Sequence, residues 1–88
     1  MAIVETEERS ENLTPDLVLD LQGLVCPIPV VKVAKAIKEV EVGSVIEATA
    51  TDPGILADIP AWCKGTGHEL LKIDRDGKSF VFWVKRVK

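Results

Sequence analysis

The chain has 88 residues, of which 47% are apolar and 28% charged, and its formal net charge at pH 7 is −3. This length and balance are typical of one small globular domain rather than a disordered chain. The acidic balance argues against direct nucleic-acid binding, which needs a basic face, and no apolar run approaches the ~20 residues of a membrane-spanning helix.

Residues 1–15 are predicted to form an acidic, disordered tail, and residues 16–88 a single folded domain. The tail carries glutamates but few large apolar side chains and shows no periodicity. Its acidic start differs from the basic and then apolar pattern of a secretory signal peptide. We therefore expect a cytoplasmic protein whose two cysteines are thiols.

The first half of the domain predicts a strand, a helix and a second strand. Residues 17–21 form a short apolar run that ends before Gly23, which suits a buried strand. From Pro27 to about residue 42, apolar residues recur at helical spacing while lysines fall on the opposite side, which indicates an amphipathic helix. Residues 44–50 alternate as a strand does.

The second half predicts a helix followed by a hairpin. An apolar stripe over residues 55–66 indicates the helix, and Pro60 suggests that its regular part starts at Asp58 as the cap. Residues 68–74 and 79–87 are expected to pair across an Asp-Gly turn.

The resulting order, β-α-β-α-β-β, predicts an α/β two-layer sandwich with both helices on one face of a four-stranded mixed sheet. The first two strands should be parallel and the last two antiparallel. Val81 and Trp83 should then lie on the open face of the sheet. That face is either a partly exposed aromatic patch that binds a partner or a surface covered by its own side chains.

Cys26 stands at the junction of the first strand and the first helix. The loop before Pro27 and the loop at residues 51–54 should leave the sheet at the same edge, where open α/β sheets place their ligands. Pro27 suits the first helical position, and Pro29 stiffens the turn. Helix amides should lower the thiol pKa and favour the nucleophilic thiolate; the alternative is a small buried hydrophobe.

Other polar and sulfur-containing residues are assigned more modest roles. Cys63 lies on the apolar stripe of the second helix and is expected in the core, although the sequence leaves a disulfide with Cys26 open. His68 is expected to be a cap or surface residue rather than a base. The spacing of these three residues does not indicate a metal site. Lys32 and Lys35 are either a solvated helix face or a surface for acidic partners.

Several short motifs in this order resemble the TusA/SirA-like sulfur carrier proteins. The resemblance runs from about residue 18 to residue 87. Its parts are Leu19-Asp20, Gly23-Leu24-x-Cys26-Pro27-x-Pro29, Asp52-Pro53, Asp58-Ile59-Pro60-x-Trp62-Cys63 and Gly67-His68-Glu69-Leu70.

The resemblance implies that Cys26 accepts a sulfane sulfur as a persulfide and relays it to an acceptor protein. The implied donor is a cysteine desulfurase or a rhodanese-like protein, and the implied destinations are tRNA thiolation, cofactor biosynthesis or oxidative sulfur metabolism. Gly23, Pro27, Pro29, Asp52 and Pro53 would support the cysteine as parts of the motif. Such a carrier needs no cofactor and is expected to be a monomer or weak oligomer rather than a stand-alone enzyme.

Two other functions compete with sulfur transfer. One is a non-catalytic binding or regulatory module that uses the open sheet face around Trp83. The other is a thiol redox protein, which is disfavoured because Cys-Pro-Ile-Pro lacks the second cysteine of a Cys-x-x-Cys centre.

Overall fold

The computed structural model describes residues 14–88, which contain four strands and two helices in the order β-α-β-α-β-β. The strands are β1 (Leu17–Leu21), β2 (Val45–Ala50), β3 (Glu69–Asp76) and β4 (Ser79–Lys85). The helices are α1 (Ile28–Ala36), followed by a 3₁₀ turn (Ile37–Glu39), and α2 (Ile55–Thr66). The predicted fold class is confirmed, whereas most of the predicted tail lies outside the described residues.

The sheet has the strand order β1-β2-β4-β3. As predicted, β1 pairs with β2 in parallel, and β3 pairs with β4 in antiparallel fashion. Because β3 extends through Asp76, the two-residue turn is Gly77-Lys78 rather than the predicted Asp-Gly. β4 also runs antiparallel to β2. The parallel pair matters for the site, because it places the carboxyl ends of β1 and β2 at the same edge of the sheet.

Both helices pack against one face of this sheet and form a single core. Phe82 is fully buried at the centre of the sheet, opposite Ala48 of β2, whose small side chain leaves room for the ring. Cys63 is 4% exposed, so its predicted core position is confirmed. Both cysteines are free thiols, and burial raises the pKa of Cys63 to about 11.

Helix α1 is shorter than predicted and begins one residue later. Pro27 is the N-cap, Ile28 is the first helical residue and Pro29 lies in the first turn. The regular helix ends at Ala36, and the 3₁₀ turn completes the predicted apolar stripe by burying Ile37.

The prediction that α2 starts at Asp58 is wrong, because the helix begins at Ile55 with Gly54 as its N-cap. The carbonyls of Asp52 and Pro53 accept the N–H groups of Ile55 and Leu56, so the N-cap lies four residues earlier than expected. Pro60 consequently lies inside the helix, where it cannot donate to the carbonyl four residues before it. Asp58 is therefore a first-turn residue and not a cap.

The open face of the sheet is covered by its own polar side chains around Trp83. The indole Nε1–H donates to Glu47 Oε1 at 3.1 Å, and Lys72 Nζ lies 5.8 Å from the centre of the ring. Lys72 also pairs with Asp74 at 3.2 Å. Of the two alternatives for this face, the self-covered surface agrees with the contacts at Trp83. In residues 14–88, neither helix is long and apolar enough to cross a bilayer.

Candidate functional site

Two hydrogen bonds join the loop that carries Cys26 to the loop that follows β2. The N–H of Gly23 donates to Thr51 Oγ1 at 2.9 Å, and the N–H of Cys26 donates to Asp52 Oδ2 at 2.8 Å. Gly23 has a φ of +82°, a conformation that favours glycine. The two loops thus meet at the carboxyl edge of the parallel strands, as predicted, and Cys26 lies where they join.

Replacing Thr51 with valine should loosen this junction at a small cost in stability. The change removes the acceptor for the Gly23 N–H but keeps the β-branched shape, so we expect a loss of about 1 kcal/mol in the free energy of unfolding. Urea unfolding measures this loss, and Thr49→Val, on the open face of β2, is the matched control. Equal effects of the two substitutions would contradict a role for the Thr51 bond.

The sulfur of Cys26 lies against Gly54, the N-cap residue of α2. A Cβ atom at position 54 would lie 3.0 Å from Cys26 Sγ and 3.1 Å from Asp52 Oδ2. Gly54 has a φ of −60°, so its backbone does not require glycine. The missing side chain at position 54 therefore serves to leave space beside the sulfur.

Two carboxylates flank the thiol and oppose its ionisation. The pKa of Cys26 is raised to about 12. Burial of the thiol is the largest cause, and hydrogen bonding to Asp58 and Asp52 and the negative charges of both residues add to it. The same thiol contact and the Cys26 N–H lower the pKa of Asp52. In the free protein Cys26 is therefore a protonated thiol at neutral pH.

The expectation that the helix would lower the thiol pKa is wrong. Cys26 precedes the N-cap, and the first helical N–H, that of Ile28, already donates to the carbonyl of Val25 at 2.9 Å. Pro27 and Pro29 have no N–H to offer. The prolines that define the start of α1 thus remove donors that would have stabilised a thiolate, while burial and the two carboxylates raise the pKa of the thiol.

Exposed apolar side chains lie in the two segments that meet at the half-buried thiol. Val25 is 63% exposed, Ile28 is 43% exposed and Leu56 in the first turn of α2 is 47% exposed. Pro53, between Asp52 and Gly54, is also exposed. An apolar rim around a reactive group is a surface that a protein partner can cover.

The remaining candidate residues lie away from the sulfur. Lys32 and Lys35 are exposed on α1, and the structure brings neither into contact with the thiol. His68 follows the far end of α2, about 18 Å along the helix axis from its start, and its Nδ1 accepts the N–H of Val87 at 3.2 Å. Among residues 14–88 no group of three or more histidine, cysteine or acidic side chains is placed to hold a metal ion.

Thr51, Gly54 and Asp58 belong to the site but were not among the predicted site residues. For Gly54 and Asp58 the signal in the sequence is the start of α2, because a helix that begins at Ile55 places these two residues one turn apart on the same face. Pro60 obscured this signal because it suggested a later start of the helix. Thr51 had no local signal, because its hydrogen bond with Gly23 joins residues 28 positions apart in the chain.

The match to a family model covers residues 17–86, and the family is described as sulfurtransferase TusA. A putative sulfur carrier protein, YrkI of Bacillus subtilis, is 44% identical over 71 residues, which cover 81% of this chain and 95% of that protein. The sulfur carrier protein TusA of Pseudomonas putida is 39% identical over 75 residues, which cover 85% of this chain and 94% of that protein.

The fold also matches the crystal structure of a SirA-like protein from Desulfitobacterium hafniense. The TM-score is 0.71 at 23% sequence identity, and the match covers 82% of this chain and 99% of that one. At this identity the likeness supports the fold alone.

Proposed function

The chain belongs to the TusA sulfurtransferase family, and we propose that Cys26 is the residue with which it accepts and relays sulfur. The observation that carries this proposal is the placement of a half-exposed, free thiol at the carboxyl edge of the sheet, beside the space left by Gly54. That space lies next to Sγ, where a second sulfur atom would have to be accommodated. The motif residues Gly23, Pro27, Pro29, Asp52 and Pro53 shape the two loops that meet there.

The proposed chemistry consists of two thiol exchange steps. In the first, the Cys26 thiol loses its proton, and its sulfur attacks the terminal sulfur of a donor persulfide. A new S–S bond forms on Cys26 while the donor S–S bond breaks and its cysteine leaves as a thiolate. In the second, an acceptor thiolate attacks the terminal sulfur of the Cys26 persulfide and releases Cys26. No net oxidation occurs in either step.

The partners of such a carrier are a sulfur donor protein and a sulfur acceptor protein. We propose a cysteine desulfurase or a rhodanese-like protein as the donor, and a cytoplasmic relay toward tRNA thiolation, cofactor biosynthesis or oxidative sulfur metabolism. The apolar rim of Val25, Ile28 and Leu56 gives both partners a surface to cover. Lys32 and Lys35, farther along α1, would contact acidic groups at the edge of the interface.

Intact-mass measurement after incubation with a cysteine desulfurase and cysteine tests the proposal. We expect the wild-type chain to gain one sulfur atom, which a thiol reductant then removes. Cys26→Ser should not gain it, because the hydroxyl cannot form a persulfide. The matched control, Cys63→Ser, should gain it, and a far-UV spectrum should show that each variant is folded.

Two outcomes would count against the assignment. A mass gain that survives in Cys26→Ser and disappears in Cys63→Ser would move the sulfur to the buried cysteine. No gain with the desulfurase or with a rhodanese-like donor supplied with thiosulfate would leave the competing binding-module function as the better account.

A further inference from the structure

A basic cavity lies at the opposite end of the molecule from Cys26. It has a volume of about 340 Å³, and its lining includes Lys38, just after α1, and Arg86, just after β4. Cys26, in contrast, precedes α1 and lies at the edge of the sheet where β4 begins. We call this cavity the basic pocket, and its size falls within the range of small-molecule sites.

The basic pocket combines cationic side chains with an apolar surface. Its cations are Lys38, Arg86 and Lys88, and its lining includes no acidic side chain. Within residues 14–88 the side-chain ion pair observed is Lys72–Asp74, so none of these cations is paired with a described acidic side chain. Arg86 does contact a main-chain oxygen of Lys88, the last residue of the sequence, where the terminal carboxylate offsets part of the charge. The positive charge of the pocket is therefore not neutralised by a neighbouring acidic side chain.

Hydrogen bonds hold two of the polar groups in place. Arg86 donates from one terminal nitrogen to the Val40 carbonyl at 2.6 Å and from Nε to a main-chain oxygen of Lys88 at 3.1 Å. A guanidinium has five N–H groups, so others remain for a ligand. His68 accepts the Val87 N–H at Nδ1, which leaves Nε2 as its N–H donor in the neutral form.

The apolar part of the pocket is formed by Ala34, Ile37 and Trp62. Ile37 is buried, and the half-buried Trp62 ring lies with its centre 5.4 Å from that of His68. Flat ligand groups pack well against such rings. The surroundings therefore suit a molecule with a charged end and an apolar, planar end.

We propose that the basic pocket binds a small organic anion that carries a phosphate group on a flat apolar body. The phosphate would lie among Lys38, Arg86, Lys88 and the His68 Nε2–H, because a doubly charged group with several acceptor oxygens matches this set of donors. The apolar body would contact Trp62. The proposal does not depend on sulfur transfer at Cys26, because the two sites share no residue.

Nuclear magnetic resonance of the single histidine tests the proposal in the full chain. Burial and the charges of Arg86 and Lys88 lower the pKa of His68 in the free protein. Phenyl phosphate should raise that pKa by at least about 0.5, since an anion stabilises the imidazolium. Inorganic phosphate should bind more weakly, and benzyl alcohol, which has the flat body without the charge, should cause no rise.

Paired variants distinguish this site from general attraction to a basic surface. The double variant Lys38→Gln/Lys88→Gln should weaken the binding of phenyl phosphate roughly fivefold or more, because it removes two exposed ion pairs with the ligand and their effects on the affinity multiply. Lys64→Gln/Lys78→Gln makes the same change in net charge outside the pocket and should leave the affinity unchanged. The fluorescence of Trp62, read in a Trp83→Phe background, gives an independent titration.

The proposal is overturned by any of three results: no rise in the His68 pKa at millimolar phenyl phosphate, equal weakening in the two double variants, or equal binding of benzyl alcohol and phenyl phosphate. The first two results would show that the cationic side chains do not form an anion-binding site. The third would show that the cavity binds apolar groups without recognising the phosphate.

Discussion

Replacing Asp52 and Asp58 together with asparagine is expected to lower the pKa of the Cys26 thiol from about 12 by about two. The change removes both negative charges beside the sulfur while burial of the thiol remains. Asparagine at position 52 still offers an oxygen to the Cys26 N–H, so the junction of the two loops should persist. The pH dependence of Cys26 alkylation, followed by mass spectrometry, gives the pKa directly.

The expected increase in the reaction rate of Cys26 is smaller than the increase in its thiolate population. A decrease of two in the pKa raises the thiolate population at neutral pH about 100-fold, but the intrinsic nucleophilicity of that thiolate falls by roughly tenfold, so the net gain is about tenfold. The single variant Asp58→Asn isolates the residue that the sequence assigned to a helix cap. Asp76→Asn, in the hairpin, removes one exposed charge elsewhere and should leave the pKa of Cys26 unchanged.

An unchanged thiol pKa in the folded double variant would mean that the carboxylates do not control ionisation. If the pKa falls, the carboxylate pair lowers the thiolate population of the free carrier, and with it the reactivity of Cys26. A donor that places a cation beside Asp52 and Asp58 would then favour the thiolate within the complex, because a positive charge offsets their effect. The site would thus react with a matched partner and resist unspecific thiol chemistry.

Gly54→Ala is expected to slow both alkylation and sulfur loading of Cys26 by about tenfold, since a small misplacement of reacting atoms can have a large effect on rate. The new Cβ would lie 3.0 Å from Sγ and 3.1 Å from Asp52 Oδ2, closer than ordinary contact, so the sulfur or the carboxylate must move. Either movement disturbs the position from which Sγ attacks. Quantitative mass spectrometry of the loaded and alkylated chain follows both reactions.

Gly65→Ala is the matched control for this prediction. Gly65 lies inside α2, and a Cβ there meets no atom within 4 Å. Gly65→Ala should stabilise the fold by up to about 1 kcal/mol, because alanine is a better helix former than glycine. The substitution should leave the reactivity of Cys26 unchanged. If Gly54→Ala reacted as fast as Gly65→Ala, the space beside the sulfur would have no functional importance.

The fold could be predicted from the sequence because each element has a clear period and boundary. The alternation of β2 and β4, the apolar stripe of α1 and the hairpin signal at residues 76–78 all indicate local structure that the packed chain keeps, with the turn one residue later than predicted. The boundary of α2 was the exception. A proline in a helix usually lies in the first turn. Here the helix begins before Pro60, because Ile55 and Ile59 are buried together on its apolar stripe.

The chemistry of the site was less predictable than its location. The junction of strand and helix placed Cys26 correctly, since that inference depends on topology. The thiol pKa depends on which groups fold against the sulfur, and Asp58 is 32 positions away in the chain. The helix amides are visible in the sequence as favourable to a thiolate, but the burial of the sulfur and the two carboxylates beside it are not, so the predicted pKa shift has the wrong sign.

Peptide mapping of the wild-type chain after loading by a sulfur donor locates the transferred sulfur without any substitution at the site. The loaded protein is alkylated, digested and analysed for the peptide that carries the additional sulfur. We expect this sulfur on the peptide containing Cys26, and we expect a thiol reductant to remove it. Sulfur on the peptide containing Cys63, with Cys26 unmodified, would contradict it.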